Sequence, residues 1–115
     1  MQSESEFIAA TDATLAAIGE ALDIALESSD VDVDWSLNDG ILEIDDGRGG
    51  KLIVNRHVPN RELWVAARSG GFHFAPRDRR WRDTRSGDDL ATALGALIRS
   101  QTGLAVTLPP LAAPG

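Results

Sequence analysis

The spacing of apolar residues changes once, near residue 30, from steps of three and four to steps of two, and this change constrains the fold of the 115-residue chain most strongly. From about Glu4 to Glu27, the residues Phe7, Leu15, Ile18, Leu22, Ala25 and Leu26 recur at helical spacing and form one apolar stripe. At about 100° per residue, Glu20, Asp23 and Glu27 gather on the opposite side of that helix. Then Val31, Val33, Trp35 and Leu37 alternate with Asp30, Asp32, Asp34 and Ser36, which predicts a strand that buries the first set and exposes the second.

Short strands follow without a second helix until late in the chain. Asn38, Asp39 and Gly40 read as a hairpin turn into Ile41 to Asp45, and Asp46 to Gly50 turns again into Lys51 to Asn55. Pro59 closes that segment, which leaves His57 in a loop. Leu63 to Ala67 is a further strand, Gly70 and Gly71 interrupt it, Phe72 to Phe74 resumes an extended run, and Trp81 centres one more. Ser86 with Asp89 three residues on resembles a capping box, followed by Leu90, Leu94, Leu97 and Ile98 at helical spacing and Gly103 as the stop. The pattern predicts an α+β fold, a two-layer α-β sandwich with two helices packed on one face of an antiparallel sheet. One domain, 1–108, is expected, with an irregular C-terminal tail, 109–115, containing Pro109, Pro110 and Pro114. The other face of the sheet is left for solvent or a partner.

Charge is distributed unevenly along this pattern. Residues 1–47 hold thirteen acids and no Lys or Arg, whereas residues 48–115 hold all eleven bases against five acids, for a net charge of −7. A net acidic, dipolar surface argues for cations or a basic protein partner and against nucleic acid. That includes the run Arg77, Arg79, Arg80 and Arg82 around Trp81, read as a partner-facing or solvent patch. With no cysteine, disulfides, thiolate metal sites and thiol nucleophiles are excluded. No stretch reaches the roughly 20 apolar residues of a membrane span, and the first twenty residues carry no base, so a cytoplasmic protein without a targeting segment is expected.

Asp30, Asp32 and Asp34 open like a calcium-binding EF-hand loop, but Trp35 stands where that loop needs Gly and Ile41 where it needs a bidentate Glu. An open ridge fits better: Glu20, Asp23 and Glu27 at the helix end run into Asp30, Asp32 and Asp34 on an edge strand. These six carboxylates repel one another, and a bound cation relieves that cost. A ridge offers oxygen ligands without a cage, so ions keep most of their waters and bind weakly with little selectivity. A plain solvated acidic face is the competing explanation.

A second constellation comprises Asn55, Arg56, Pro59 and Trp64, then Gly70, Gly71, Phe72, His73 and Phe74. On its short strand Trp64 reads by itself as core, and His73, alternating with two Phe, as a residue of the polar sheet face. No nucleophile–base pair, glycine-rich phosphate loop or H-E-x-x-H motif is present, so an enzyme is not expected.

Four of these runs occur in one order: the acidic helix leading into D-V-D-V-D-W, N-R-x-x-P-x-x-x-x-W from Asn55 to Trp64, G-G-F-H-F at 70–74, and W-R-D-T-R-S-G-D from Trp81 to Asp88. Together they resemble the bacterial frataxin family, from about Ser5 to Leu108. The resemblance implies the same α-β-α sandwich, iron (Fe2+ or Fe3+) bound weakly on the ridge at Glu20, Asp23, Asp30, Asp32 and Asp34, to which Glu27 adds a neighbouring carboxylate, and a part in iron–sulfur cluster assembly. Other divalent cations are expected at the same sites. It further implies binding to a cysteine desulfurase and its scaffold complex, as a regulator of cluster formation or a donor of iron. Trp64 matches the family's exposed sheet tryptophan, against its reading as core, and Asn55, Arg56 and His73 accompany it as partner-binding residues. Ile24, Leu26 and Ser28 stand where some members have Asp, and Ile8 where some have a histidine. The expected state is a monomer that metal can drive into oligomers. A weak ferroxidase or an iron-storage oligomer is the alternative.

Overall fold

A computed structural model describes residues 3–114; residues 1, 2 and 115, at the ends of the expected domain and tail, lie outside the described residues. The element order is α1 (Glu4–Glu27), β1 (Asp34–Asn38), β2 (Ile41–Asp45), β3 (Lys51–His57), β4 (Glu62–Ala67), β5 (Gly70–Arg77), β6 (Arg80–Asp83) and α2 (Leu90–Thr102). The six strands form one antiparallel meander in chain order, β1-β2-β3-β4-β5-β6, so β1 and β6 are its edges. Both helices cover one face, α1 over β1–β3 and α2 beside β6, as the α+β pattern predicts.

The helix boundaries have local causes. Ser3 caps α1 in a full capping box: its hydroxyl accepts from the Glu6 N–H while the Glu6 carboxylate accepts from the Ser3 N–H. Phe7, Leu15, Ile18 and Leu22 of the stripe are fully buried, whereas Ala25 and Leu26 are half-buried near the helix end. Helix α2 ends where Gly103 takes the left-handed conformation, φ 81°. Its start differs from the expected capping box, because Asp89 and not Ser86 is the cap, accepting from the Ala91 N–H. The Ser86 hydroxyl accepts instead from the Asp88 N–H, and the Asp83 carboxylate takes the N–H groups of Arg85 and Ser86, so this segment closes on itself as a turn.

The first strand is shorter than the alternation predicts. Asp30 and Asp32 lie in an irregular approach, and β1 begins only at Asp34, which pairs with Asp45, the last residue of β2. Beyond Asp45 the chain turns away, so residues 30–33 have no strand to pair with. Two of their backbone N–H groups find local partners, Val31 N–H on the Ser29 hydroxyl and Val33 N–H on the Val31 carbonyl. Burial follows the predicted set, with Val33 buried and Val31, Trp35 and Leu37 half-buried. The opposite error occurs in β3, which runs past Asn55 to His57, so His57 is a strand residue and not a loop residue.

Trp81 sits at the centre of the core, fully buried, edge-on to Phe7 at 6.2 Å and donating its indole N–H to the Thr14 hydroxyl at 3.1 Å. The segment after α2 is irregular in backbone and integral to the core. Leu111 and Ala113 are buried, Ala112 bridges Arg80, and the Ala113 N–H donates to the Arg79 carbonyl at 2.9 Å. No helix among the described residues is long and apolar enough to cross a membrane.

Candidate functional site

A side-chain hydrogen bond ties the end of α1 to the edge strand β1. The Trp35 indole N–H donates to the Asp23 carboxylate at 2.8 Å, which brings the acidic side of the helix to the edge of the sheet. All six ridge candidates, Glu20, Asp23, Glu27, Asp30, Asp32 and Asp34, are exposed. Glu20, Asp23 and Glu27 ride on α1, Asp30 and Asp32 on the approach, and Asp34 on β1. Asp34 stands directly across from Asp45, a like-charge pair that sequence reading missed because it depends on hairpin register. A shallow depression of about 170 Å³ there is lined by Asp34, Glu43, Asp45 and Lys51, with Trp35 and Ser36. Among the described residues, no three His, Asp or Glu side chains converge on one point as a metal site. The surface has the form of a ridge, with carboxylates spread along it.

The basic half of the chain folds back on the acidic half selectively. Arg56 reaches Asp12 at 2.7 Å and Asp39 at 3.6 Å, Lys51 reaches Glu43 at 3.5 Å, and Arg68 reaches Asp46 at 3.0 Å. Among the described residues, no ion pair involves any of the six ridge carboxylates. Ile24, in the same stretch of α1 as Glu20 and Asp23, is 61% exposed.

Asp46 takes a different part. It is buried and accepts from the N–H groups of Arg48 and Gly50, the Gln101 amide and the Arg68 guanidinium. The Arg48 N–H first, then the other donors, hold its carboxyl below the usual range against the opposing effect of burial. Asp46 thereby ties the β2–β3 turn to α2 and to the turn after β4.

The uncovered face of the sheet carries one cross-strand row, Ile41–Asn55–Trp64–His73, set by the registers of β2 through β5. Trp64 stands on this face and not in the core: its ring stacks on His73 at 4.3 Å and 5°, and on His57 at 3.6 Å and 9°. Its indole N–H donates to the Glu62 carboxylate at 2.8 Å, and His73 Nδ1 lies 3.8 Å from the same oxygen. Asn55 and His73 share the face with Trp64. Arg56 alternates to the helix side; its side chain is 11% exposed, and its guanidinium packs on Gly40, where a Cβ would meet it at 2.8 Å. His57 and Glu62 were missed as site residues. Extending the β3 alternation Ile53, Asn55 by two residues would have placed His57 on this face, but the nearby Pro59 read as the end of the strand.

The sequence and the fold have relatives among known proteins. A family model described as "Frataxin-like domain" matches residues 1–104. A protein of Cupriavidus pinatubonensis named "Iron-sulfur cluster assembly protein CyaY" is 44% identical over 106 residues, covering 92% of this chain and 96% of that one. The solved frataxin of Psychromonas ingrahamii superposes with a TM-score of 0.75 at 32% identity, over 91% of this chain and 96% of that one. A trimeric frataxin of the yeast Saccharomyces cerevisiae, solved complexed with ferrous ion, has the same fold, with a TM-score of 0.70 at 21% identity over 90% and 88% of the two chains. A two-helix, six-strand sandwich with an acidic helix-to-edge ridge, matched by that family model over nearly its whole length, places this chain in the frataxin family.

Proposed function

We propose that this chain is a non-catalytic, iron-binding factor of iron–sulfur cluster assembly that docks on a cysteine desulfurase and its scaffold complex through its acidic ridge and open sheet face. The observation that carries this reading is the selective neutralisation of charge: Arg56, Lys51 and Arg68 pair with acids elsewhere, while Glu20, Asp23, Glu27, Asp30, Asp32 and Asp34 stay exposed and, among the described residues, without a base. Like charges held side by side cost stability, and a cation or a basic protein surface relieves that cost. The name of the Cupriavidus relative supports cluster assembly, and the yeast frataxin solved with ferrous ion is in keeping with iron as cargo.

Iron is the cargo here, held at the ridge by carboxylate oxygen and water. Carboxylates spread along a ridge favour several weak sites, at which Ca²⁺ and Mn²⁺ compete with iron. The same openness disfavours the ferroxidase reading, which needs ligands gathered around a site that prefers Fe³⁺. The test is a pull-down and titration of the desulfurase–scaffold complex with wild type and with the Asp30→Asn, Asp32→Asn and Asp34→Asn triple variant, beside iron oxidation measured against a buffer blank. Weaker complex binding by the variant, with oxidation no faster than the blank, is the expected result. Undiminished binding by the variant, or oxidation well above the blank, overturns it.

A further inference from the structure

We propose that His57 is a positioning residue of the open sheet face: with His73 it holds the Trp64 ring flat between two imidazoles, so that a partner meets three ring edges already in place. The inference rests on the reading of this face as a docking surface and says how that surface is organised.

Three independent contacts immobilise the indole. His73, its direct cross-strand partner, covers one side at 4.3 Å, and His57 covers the other at 3.6 Å. The Glu62 carboxylate takes the indole N–H at 2.8 Å and sets the ring's direction within its plane. His57 is itself held, because its Nδ1 accepts the Asn60 N–H at 3.3 Å, which leaves the proton of the neutral ring on Nε2. His57 pairs across the strands with Glu62 and reaches Trp64 diagonally, a distance that long aromatic side chains span.

The stack adds nothing to the core. Leu63 and Val65, the neighbours of Trp64 in β4, already fill the helix side, and the His73 side chain is 47% exposed. A lone indole on an open sheet face samples several rotamers and must give them up on binding. Fixing it beforehand removes an ordering cost that corresponds to about two- to tenfold in affinity. With both faces of the indole covered, the partner cannot stack on it and meets ring edges, which carry the positive end of the aromatic quadrupole along with N–H donors. The surface therefore fits a shallow partner site lined with apolar groups and hydrogen-bond acceptors.

The test uses His57→Ala and His57→Phe in the full chain. In the free protein, NMR relaxation of the Trp64 indole N–H reports its order; in a titration, the desulfurase–scaffold complex reports affinity; a melting curve reports the fold. His57→Ala should melt close to wild type, loosen the indole and weaken binding about two- to tenfold. His57→Phe keeps a flat ring without charge or N–H and should restore both order and affinity. An indole equally ordered in His57→Ala overturns the proposal, and so does a His57→Phe variant that restores order without affinity, since His57 would then act by direct contact. Trp64→Ala separates the two levels. If it binds as wild type does, the docking reading falls and the partner role of His57 with it; if it binds weakly while His57→Ala does not, docking stands and positioning falls.

Discussion

The indole of Trp35 occupies the space where Gly19 of α1 lacks a side chain: a Cβ at position 19 would fall 2.5 Å from Cη2 and 2.7 Å from Cζ3 of that ring. The close approach lets Trp35 reach across to Asp23, so the glycine sits beneath the seam of the ridge. Replacing Gly by Ala inside a helix ordinarily gains up to about 1 kcal/mol. Here the added methyl overpacks a seam, a change that costs about 1–3 kcal/mol. Gly19→Ala is therefore predicted to lower stability by about 1–2 kcal/mol in urea denaturation. A rise in stability would mean that the ring slides outward without loss.

Trp81 and Trp64, both on strands, should separate by their cost. Trp81 is fully buried and hydrogen-bonded to Thr14, so Trp81→Ala should lose about 3–5 kcal/mol and approach unfolding. Trp64 loses two ring stacks and no core contact, so Trp64→Ala should fold and cost about 1–2 kcal/mol. Parallel denaturation curves on the two variants decide the matter, and equal losses would return Trp64 to the core.

Asp46 should contribute to the acid limb of stability. Its folded carboxyl titrates below the ordinary carboxylate value, so its contribution is complete above about pH 4 and disappears as pH falls through the lowered value. Wild type should lose melting temperature on the acid side of that point. Asp46→Asn should melt lower at pH 7 and lose less on acidification; parallel curves for the two proteins would refute the assignment.

On the ridge, Asp34 faces Asp45 across the hairpin, and the nearby Lys51 pairs with Glu43. Asp34→Asn should raise stability by a few tenths of a kcal/mol, the usual size of an exposed charge pair. It should also flatten the rise in melting temperature on adding Mn²⁺ or Ca²⁺. In wild type that rise should be gradual and correspond to about 2.7 kcal/mol at a hundredfold excess over Kd. No shift at millimolar metal would remove the ridge as a cation site.

The segment after α2 should behave as core despite its irregular backbone. Leu111 is 2% exposed, and Leu111→Ala should cost about 2–5 kcal/mol in the same denaturation assay. A loss below about 0.5 kcal/mol, typical of surface positions, would show that it merely lies on the fold.

The sequence by itself determined whatever depends on near neighbours. Helix α1 follows from a stripe repeating every three or four residues, and the hairpin follows from Asp39 and Gly40, which take the positive φ values, 46° and 79°, of a two-residue turn. Gly103 stops α2 because a left-handed residue ends a helix at little cost when it is glycine. The six ridge candidates were legible for the same reason, since three share one side of two successive helix turns and three follow closely in the chain.

Only the tertiary structure decided what depends on strand register and twist. Residues 30–33 alternate like a strand but lack a partner, because β2 ends at Asp45. Arg56 has the parity that turns it to the helix side, where Asp12, 44 residues away in sequence, captures it. His57 and His73 flank Trp64 only after three strands pair in one alignment. Periodicity records which side a residue faces, whereas the identity of its neighbour depends on alignments between distant segments that a one-residue slip would exchange.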